Sequence, residues 1–310
     1  MARDEEEPVK QLLYYENAII RDPLCKEAWF NKAELYMNLE RFEEAIECYE
    51  KATDIDPNYY EAWLGEGHAF SALEEPEEAL DYYNEALFLN PEAFMELIDK
   101  SIAENPGDPG PLVSKSQVLY MLDRYEEAIE VLNKALELDP EAADVWINRG
   151  LMLLFLERQT EALESTEKGL ELDPENVFAL HNRGLILIKL ERFEEALESF
   201  NKEIQLGLEN ENSWSEKGNA LVGLKEYEKA LQAFNRALKF DGKCKWAWIG
   251  KGKVFTALQK DKKALEAYGR AIASDPEYAE SWEQKAKVLE KLGRLEEARK
   301  CIEKYRELNT

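Results

Sequence analysis

The sequence predicts an all-α solenoid of antiparallel helix pairs, and three observations carry that prediction. Asp/Asn-Pro pairs at Asp22-Pro23, Asp56-Pro57, Asn90-Pro91, Asn105-Pro106, Asp139-Pro140, Asp173-Pro174 and Asp275-Pro276 are separated by 34 residues or multiples of 34, apart from one short interval. Tryptophan falls in a single register at Trp29, Trp63, Trp146, Trp214, Trp248 and Trp282, with Leu112 and Leu180 in its place in two units. Sixteen residues after that column stands an alanine in all eight units: Ala45, Ala79, Ala128, Ala162, Ala196, Ala230, Ala264 and Ala298.

Each unit reads as two amphipathic helices. The first carries the tryptophan, then a small residue four positions on (Ala33, Gly67, Ser116, Gly150, Gly184, Gly218, Gly252, Ala286), then a bulky one such as Tyr36, Phe70 or Leu153. The second carries the alanine and then Tyr49, Tyr83, Phe200, Phe234 or Tyr268. Small residues let paired helices approach, and large ones fill the space beside them. Second helices open with acids (Glu43-Glu44, Glu126-Glu127, Glu194-Glu195), which suits the positive end of the helix dipole. Proline after the acid or amide ends each unit, because it cannot continue a helix.

This pattern resembles the tetratricopeptide repeat family over eight units from Lys26 to Thr310, with a lone helix at Val9–Arg21 before them. The resemblance implies a right-handed superhelix whose first helices line a concave face where partner peptides lie. Two repeat ends depart from the family, with Gly207-Leu208 and Asp241-Gly242 in place of Asp-Pro. The predicted organisation is an acidic tail and capping helix over 1–25, two repeats over 26–91, and an extra helix with a Pro/Gly hinge over 92–108. Six repeats follow over 109–310, the last capping itself through Lys300, Glu303, Lys304 and Arg306. Phe94, Leu97, Ile98 and Ile102 give the extra helix an apolar stripe, and Asn105–Pro111 breaks regular structure after it. A kink near residues 105–111 is expected; the alternative is an insertion that loops outward from an unbroken stack.

Composition narrows the function. Of 310 residues, 45% are hydrophobic and 34% charged, an ordered and helix-rich balance. Net charge is −26, unevenly spread: residues 211–310 carry 21 basic and 16 acidic side chains, against 18 and 49 in residues 1–210. So acidic a surface repels phosphate backbones and disfavours nucleic acid, leaving a basic cluster at Lys243, Lys245, Lys260, Lys262 and Lys263 as the one weak exception. The start MARDEEEPVK lacks the features of a signal peptide, and the longest strongly apolar run, Leu151–Leu156, is too short for a bilayer. Cys25, Cys48, Cys244 and Cys301 are scattered, as reduced thiols of a cytoplasmic protein would be.

No enzyme motif stands out: the chain has no GxxxxGK[ST] loop, GxGxxG turn or GxSxG elbow. Its two histidines, His68 and His181, have no metal-ligand spacing, so no cofactor and no zinc are expected. The expectation is a non-enzymatic, co-chaperone-like adaptor that binds a protein or peptide.

The first-helix face supplies the candidate site. Two residues after the tryptophan column stand Asn31, Asn148 and Asn182, a residue type that helix propensity does not favour. Its amide offers a donor and an acceptor to an extended backbone, as related repeats are known to use it. Five residues after the column come Leu151, Leu185, Asn219, Lys253 and Lys287. With Ile147, Phe178 and His181 they suggest an apolar middle and an anion-ready C-terminal end. The implied ligand is an extended segment with apolar side chains and an acid or C-terminal carboxylate beyond, although the carboxylate clamp of some such repeats is not reproduced. Lys or Arg three residues after the column (Lys32, Lys115, Arg149, Arg183, Lys217, Lys251, Lys285) reads as a structural bridge between repeats. A second reading is head-to-tail assembly, motivated by Tyr305, which takes a place where most units have alanine.

Overall fold

The structure, a computed structural model, describes residues 6–309, so the first five residues of the acidic tail and Thr310 lie outside the described residues. Among the described residues there are eighteen helices and no strand. After α1 (Glu6–Arg21), first helices α2 (Lys26–Asn38), α4 (Tyr60–Ala72), α7 (Gly110–Met121), α9 (Ala143–Phe155), α11 (Val177–Lys189), α13 (Glu211–Gly223), α15 (Lys245–Ala257) and α17 (Ala279–Lys291) open the eight units. Their second helices are α3 (Phe42–Ile55), α5 (Pro76–Leu89), α8 (Tyr125–Leu138), α10 (Gln159–Leu172), α12 (Phe193–Gln205), α14 (Tyr227–Phe240), α16 (Asp261–Ser274) and α18 (Leu295–Glu307). The helix expected between Pro91 and Pro106 is α6 (Pro91–Glu104).

Both kinds of turn are built from local hydrogen bonds. Each first helix ends on a residue in the left-handed region, among them Glu40, Glu157, Glu191 and Gln259, with φ between 55° and 57°. That twist lets two successive N–H groups reach back to the last turn: Glu191 donates to the Ile188 carbonyl (3.0 Å) and Arg192 to that of Leu187 (2.9 Å). In five units the residue after the twist is an arginine that pairs with the glutamate three places on, as Arg192 does with Glu195 at 2.6 Å. Each such pair sits on the first turn of a second helix.

The Asp-Pro turns run the other way, from second to first helix. The Asp139 carboxylate accepts from the Glu141 N–H (3.0 Å), and Asp275 does the same for Glu277 (3.0 Å). The tryptophan column ties the next helix to this turn. Trp29, Trp63, Trp146 and Trp282 each donate an indole N–H to the carbonyl of the preceding proline, at 2.8–3.0 Å. Where Leu180 replaces tryptophan, Lys202 donates to the Pro174 carbonyl instead (2.6 Å).

The small-against-large pattern sets the helix spacing. All eight alanines of the column are buried. A methyl group added at Gly67 would come within 2.6 Å of the Tyr83 ring, so α4 and α5 meet only because that side chain is absent. The basic column bridges neighbours as expected. Arg183 donates back to Glu167 on α10 (3.3 Å) and forward to Ser199 on α12 (2.8 Å), and Lys251 reaches Asn235 on α14 (2.8 Å).

Two compact units result, Met1–Leu122 and Asp123–Thr310. The first holds α1 to α7 and the second α8 to α18, the boundary falling in the turn between α7 and α8. No helix among the described residues is long and apolar enough to cross a membrane. Cys48, Cys244 and Cys301 are buried free thiols, and burial pushes the Cys48 thiol up to about 11.

Candidate functional site

Within the second unit, α9 packs on α11, α11 on α13 and α13 on α15, so four first helices form a continuous sheet of helical surface. The 34-residue period places Asn148 and Asn182 at the same position on α9 and α11, and Leu151 and Leu185 likewise. All four are half-buried. Neither asparagine amide has a hydrogen-bond partner among the described residues, whereas Asn31 on α2 spends its amide on the Glu27 carbonyl of its own helix (2.7 Å). Phe178, at the start of α11, is 67% exposed beside them.

Two expected residues turn elsewhere for one shared reason. Ile147 and His181 both stand one place after the tryptophan column, and that position faces the second helix of the same repeat. Ile147 is only 6% exposed and packs on Gly169 of α10, where an added methyl would sit 2.6 Å from its Cγ1. Ile147 is therefore a core residue and not part of an open face. In the next repeat the residue 34 after Gly169 is Glu203, fully buried in a column held by Ala52, Ala86, Ala135, Gly169, Ala237 and Ala271 in six other repeats and by Tyr305 in the last. His181 Nδ1 lies 3.1 and 3.2 Å from its two carboxylate oxygens, and Ser213 of α13 donates to Oε1 at 2.8 Å. Burial alone would lower the His181 pKa, but the hydrogen bond and charge of Glu203, with Glu216 beyond, outweigh it and raise it. His181 thus balances an internal carboxylate.

The C-terminal end is also internally engaged. Asn219 donates to Glu216 (3.1 Å), whose carboxyl burial raises. Lys253 is exposed but pairs with Glu280 at 2.9 Å, and Lys287 with Glu283 at 2.7 Å. These lysines are not bare cations awaiting an anion. Sequence reasoning passed over Trp246, which is partly exposed at the position on α15 that Phe178 holds on α11. Its ring meets Tyr278 edge-on at 4.9 Å, with the Lys245 ammonium over both. Its place two residues before the tryptophan column was the available signal.

Among the described residues, no group of three His, Cys, Asp or Glu is placed to hold a metal ion. Repeat models cover most of the chain. Those described as tetratricopeptide repeat match residues 27–59, 60–92, 143–176, 166–198, 212–244 and 279–309, and one described as TPR repeat matches 117–154 and 252–293. The chain belongs to the tetratricopeptide repeat family. No curated protein matches it in sequence. Among solved structures, it is similar to YrrB, a TPR protein with an unusual peptide-binding site, at 27% identity and a TM-score of 0.52, covering 62% of this chain and 98% of that one. It is also similar to a chain of the APC/C hetero-tetramer Cut9-Hcn1, at 14% identity and a TM-score of 0.60, covering 91% and 73%, a likeness of fold alone. The tetratricopeptide repeat fold makes this chain a protein-interaction scaffold.

Proposed function

We infer that the scaffold holds an extended peptide along the first-helix face of α9 and α11. One observation carries the reading: two half-buried asparagine amides, repeated at the same position on adjacent helices, keep both donor and acceptor uncommitted. An extended backbone offers a matching carbonyl and N–H at regular intervals. Phe178, Leu151 and Leu185 add the apolar contact that supplies most binding energy at such faces. The similarity to a TPR protein with a peptide-binding site supports the same reading. Ile147 and His181 drop out of the contact set, and Asn219 is secondary because Glu216 already holds it. An acidic ligand group would reach Lys253 or Lys287 only by displacing Glu280 or Glu283, so charge contributes little.

The test uses a peptide selected from a random library on the wild-type chain and titrated by fluorescence anisotropy. Each lost neutral hydrogen bond is worth about 0.5–1.5 kcal/mol, so Asn148→Ala with Asn182→Ala should weaken binding roughly tenfold or more. Helix content should stay unchanged. Equal affinity in the double variant refutes the peptide-holding face.

A further inference from the structure

The first unit contains a helix without its partner. α6 follows α5 after the single residue Asn90, and a proline turn at Asn105-Pro106 then leads to the first helix α7. Lys115 on α7 reaches back sixteen residues to Asp99 on α6 at 2.5 Å, just as Arg149 on α9 reaches back sixteen residues to Asn133 on α8. α6 is therefore a second helix in register, and the first helix that should pair with it does not exist. The alanine column says the same. Counted back from its closing proline, α6 has Phe94 where all eight paired second helices carry a buried alanine. Alanine is needed only where a first helix presses on that spot.

The missing helix leaves a slot of about 560 Å³. Its walls come from α4, α5, α6 and α7, the elements that an inserted first helix would touch: the preceding pair, its own second helix and the next first helix. The lining is mostly apolar, with Leu64, Leu80, Phe94, Leu97, Val118 and Met121. Leu80 is 58% and Leu97 51% exposed, a poor state for large aliphatic side chains at the edge of one concavity. Two of the four helices are strongly acidic on faces outside that lining. α5 and α6 together carry eight carboxylates (Glu77, Glu78, Asp81, Glu85, Glu92, Glu96, Asp99, Glu104) against Lys100 alone.

We propose that this slot docks an amphipathic α-helix of a partner protein, with an apolar ridge facing Leu80, Phe94 and Leu97 and a Lys/Arg-rich outer face. The occupant is a helix because the space is bounded as an internal first helix is bounded elsewhere in the chain. Its apolar ridge follows from the lining, and its basic outer face from the net negative charge of α5 and α6, whose carboxylates lie outside the lining. The site is separate from the asparagine face of α9 and α11 and does not depend on it.

The probe is a synthetic helical peptide with leucines at i, i+3, i+4 and i+7 and lysines elsewhere, labelled and titrated against the full chain at low and moderate salt. Three comparisons accompany it: the same leucine ridge with glutamates for lysines, a scrambled peptide of the basic composition, and the chain carrying Leu80→Asp and Leu97→Asp. Both leucines are exposed, so these substitutions should leave the circular dichroism spectrum and thermal midpoint unchanged. The basic amphipathic helix should bind at least tenfold tighter than either control peptide, and the double aspartate variant should lose at least tenfold. Asn148→Ala with Asn182→Ala should leave this binding intact, which separates the slot from the peptide-holding face. Failure of the basic helix to bind, equal binding of the scrambled peptide, or indifference to Leu80→Asp and Leu97→Asp overturns the proposal.

Discussion

Glu66 is the most informative residue at which to test the packing logic. It stands three places after Trp63, in the column where seven other units carry Lys or Arg. A base there would meet the acid sixteen residues back, Glu50; a glutamate meets like charge instead. Glu66 is 1% exposed, and its polar partner is Thr53, which donates to Oε1 at 3.2 Å. Burial is the main cause that pushes its pKa from 4.5 up to about 8, with Glu50 and Asp54 adding repulsion and the Thr53 bond opposing it. In the folded state the carboxyl keeps its proton at neutral pH, while in the unfolded chain it has lost it. The folded state then binds more protons than the unfolded one between pH 4.5 and about 8, and stability falls as pH rises through that window. At about 1.4 kcal/mol per pH unit, the loss reaches about 3 kcal/mol at pH 7.

Glu66→Gln removes the titration and keeps the shape and the hydroxyl bond. The variant should match the wild type near pH 4.5 and exceed it by about 3 kcal/mol at pH 7, the gain growing with pH. Because repeat arrays need not unfold in one step, the assay is amide hydrogen exchange resolved to α3 and α4, measured at several pH values after correction for intrinsic rates. Identical pH slopes for Glu66→Gln and wild type in those helices would refute the claim that this carboxyl is held buried and neutral.

Two further outcomes follow from the same columns. His181→Ala strips a fully buried Glu203 of its nitrogen partner and should cost about 3 kcal/mol in urea unfolding, whereas His181→Ala with Glu203→Ala restores the small-residue column and should recover most of it. Because the folded-state His181 pKa is raised, its charged contribution is complete below the ordinary histidine pKa and fades as pH rises through the raised value, so the deficit of the single variant should shrink as pH rises above the ordinary histidine pKa. Glu191→Gly places at φ 57° the residue type that the last repeat already uses at Gly293, and should stabilise by about 0.5 kcal/mol in the same assay; a loss would show that the left-handed turn carries no strain.

Period, helix pairing, the alanine column and the basic bridges were legible in the sequence because each recurs at a fixed spacing and reports a contact with the nearest neighbour in the chain. What was less legible is which face of a first helix looks outward. Ile147 and Asn148 are adjacent residues, yet one packs on Gly169 and the other keeps a free amide. Successive side chains on a helix diverge by about 100°, so one position decides between seam and surface. The seam's direction is set by where the second helix crosses, and a tryptophan register alone does not fix it. The small-residue column that includes Gly169 does, since it marks the line of closest approach. Glu203 interrupting that column was the visible sign that His181, 22 residues earlier, would be drawn inward.

The two candidate surfaces differ in origin. Across the seven pairs that lie within one unit a buried alanine on the second helix records the pressure of a first helix, so a large residue at that position records its absence. Phe94 is such a residue, and the concavity lies against it. The asparagine face, by contrast, arises where the repeat is regular, from side chains the packing leaves uncommitted. One surface is a consequence of periodicity kept and the other of periodicity broken. They should therefore respond to different substitutions, Asn148 and Asn182 for the first and Leu80 and Leu97 for the second. A variant set in which either pair disturbed both binding events would mean that the chain presents one coupled surface, and that reading the columns as independent contacts is wrong.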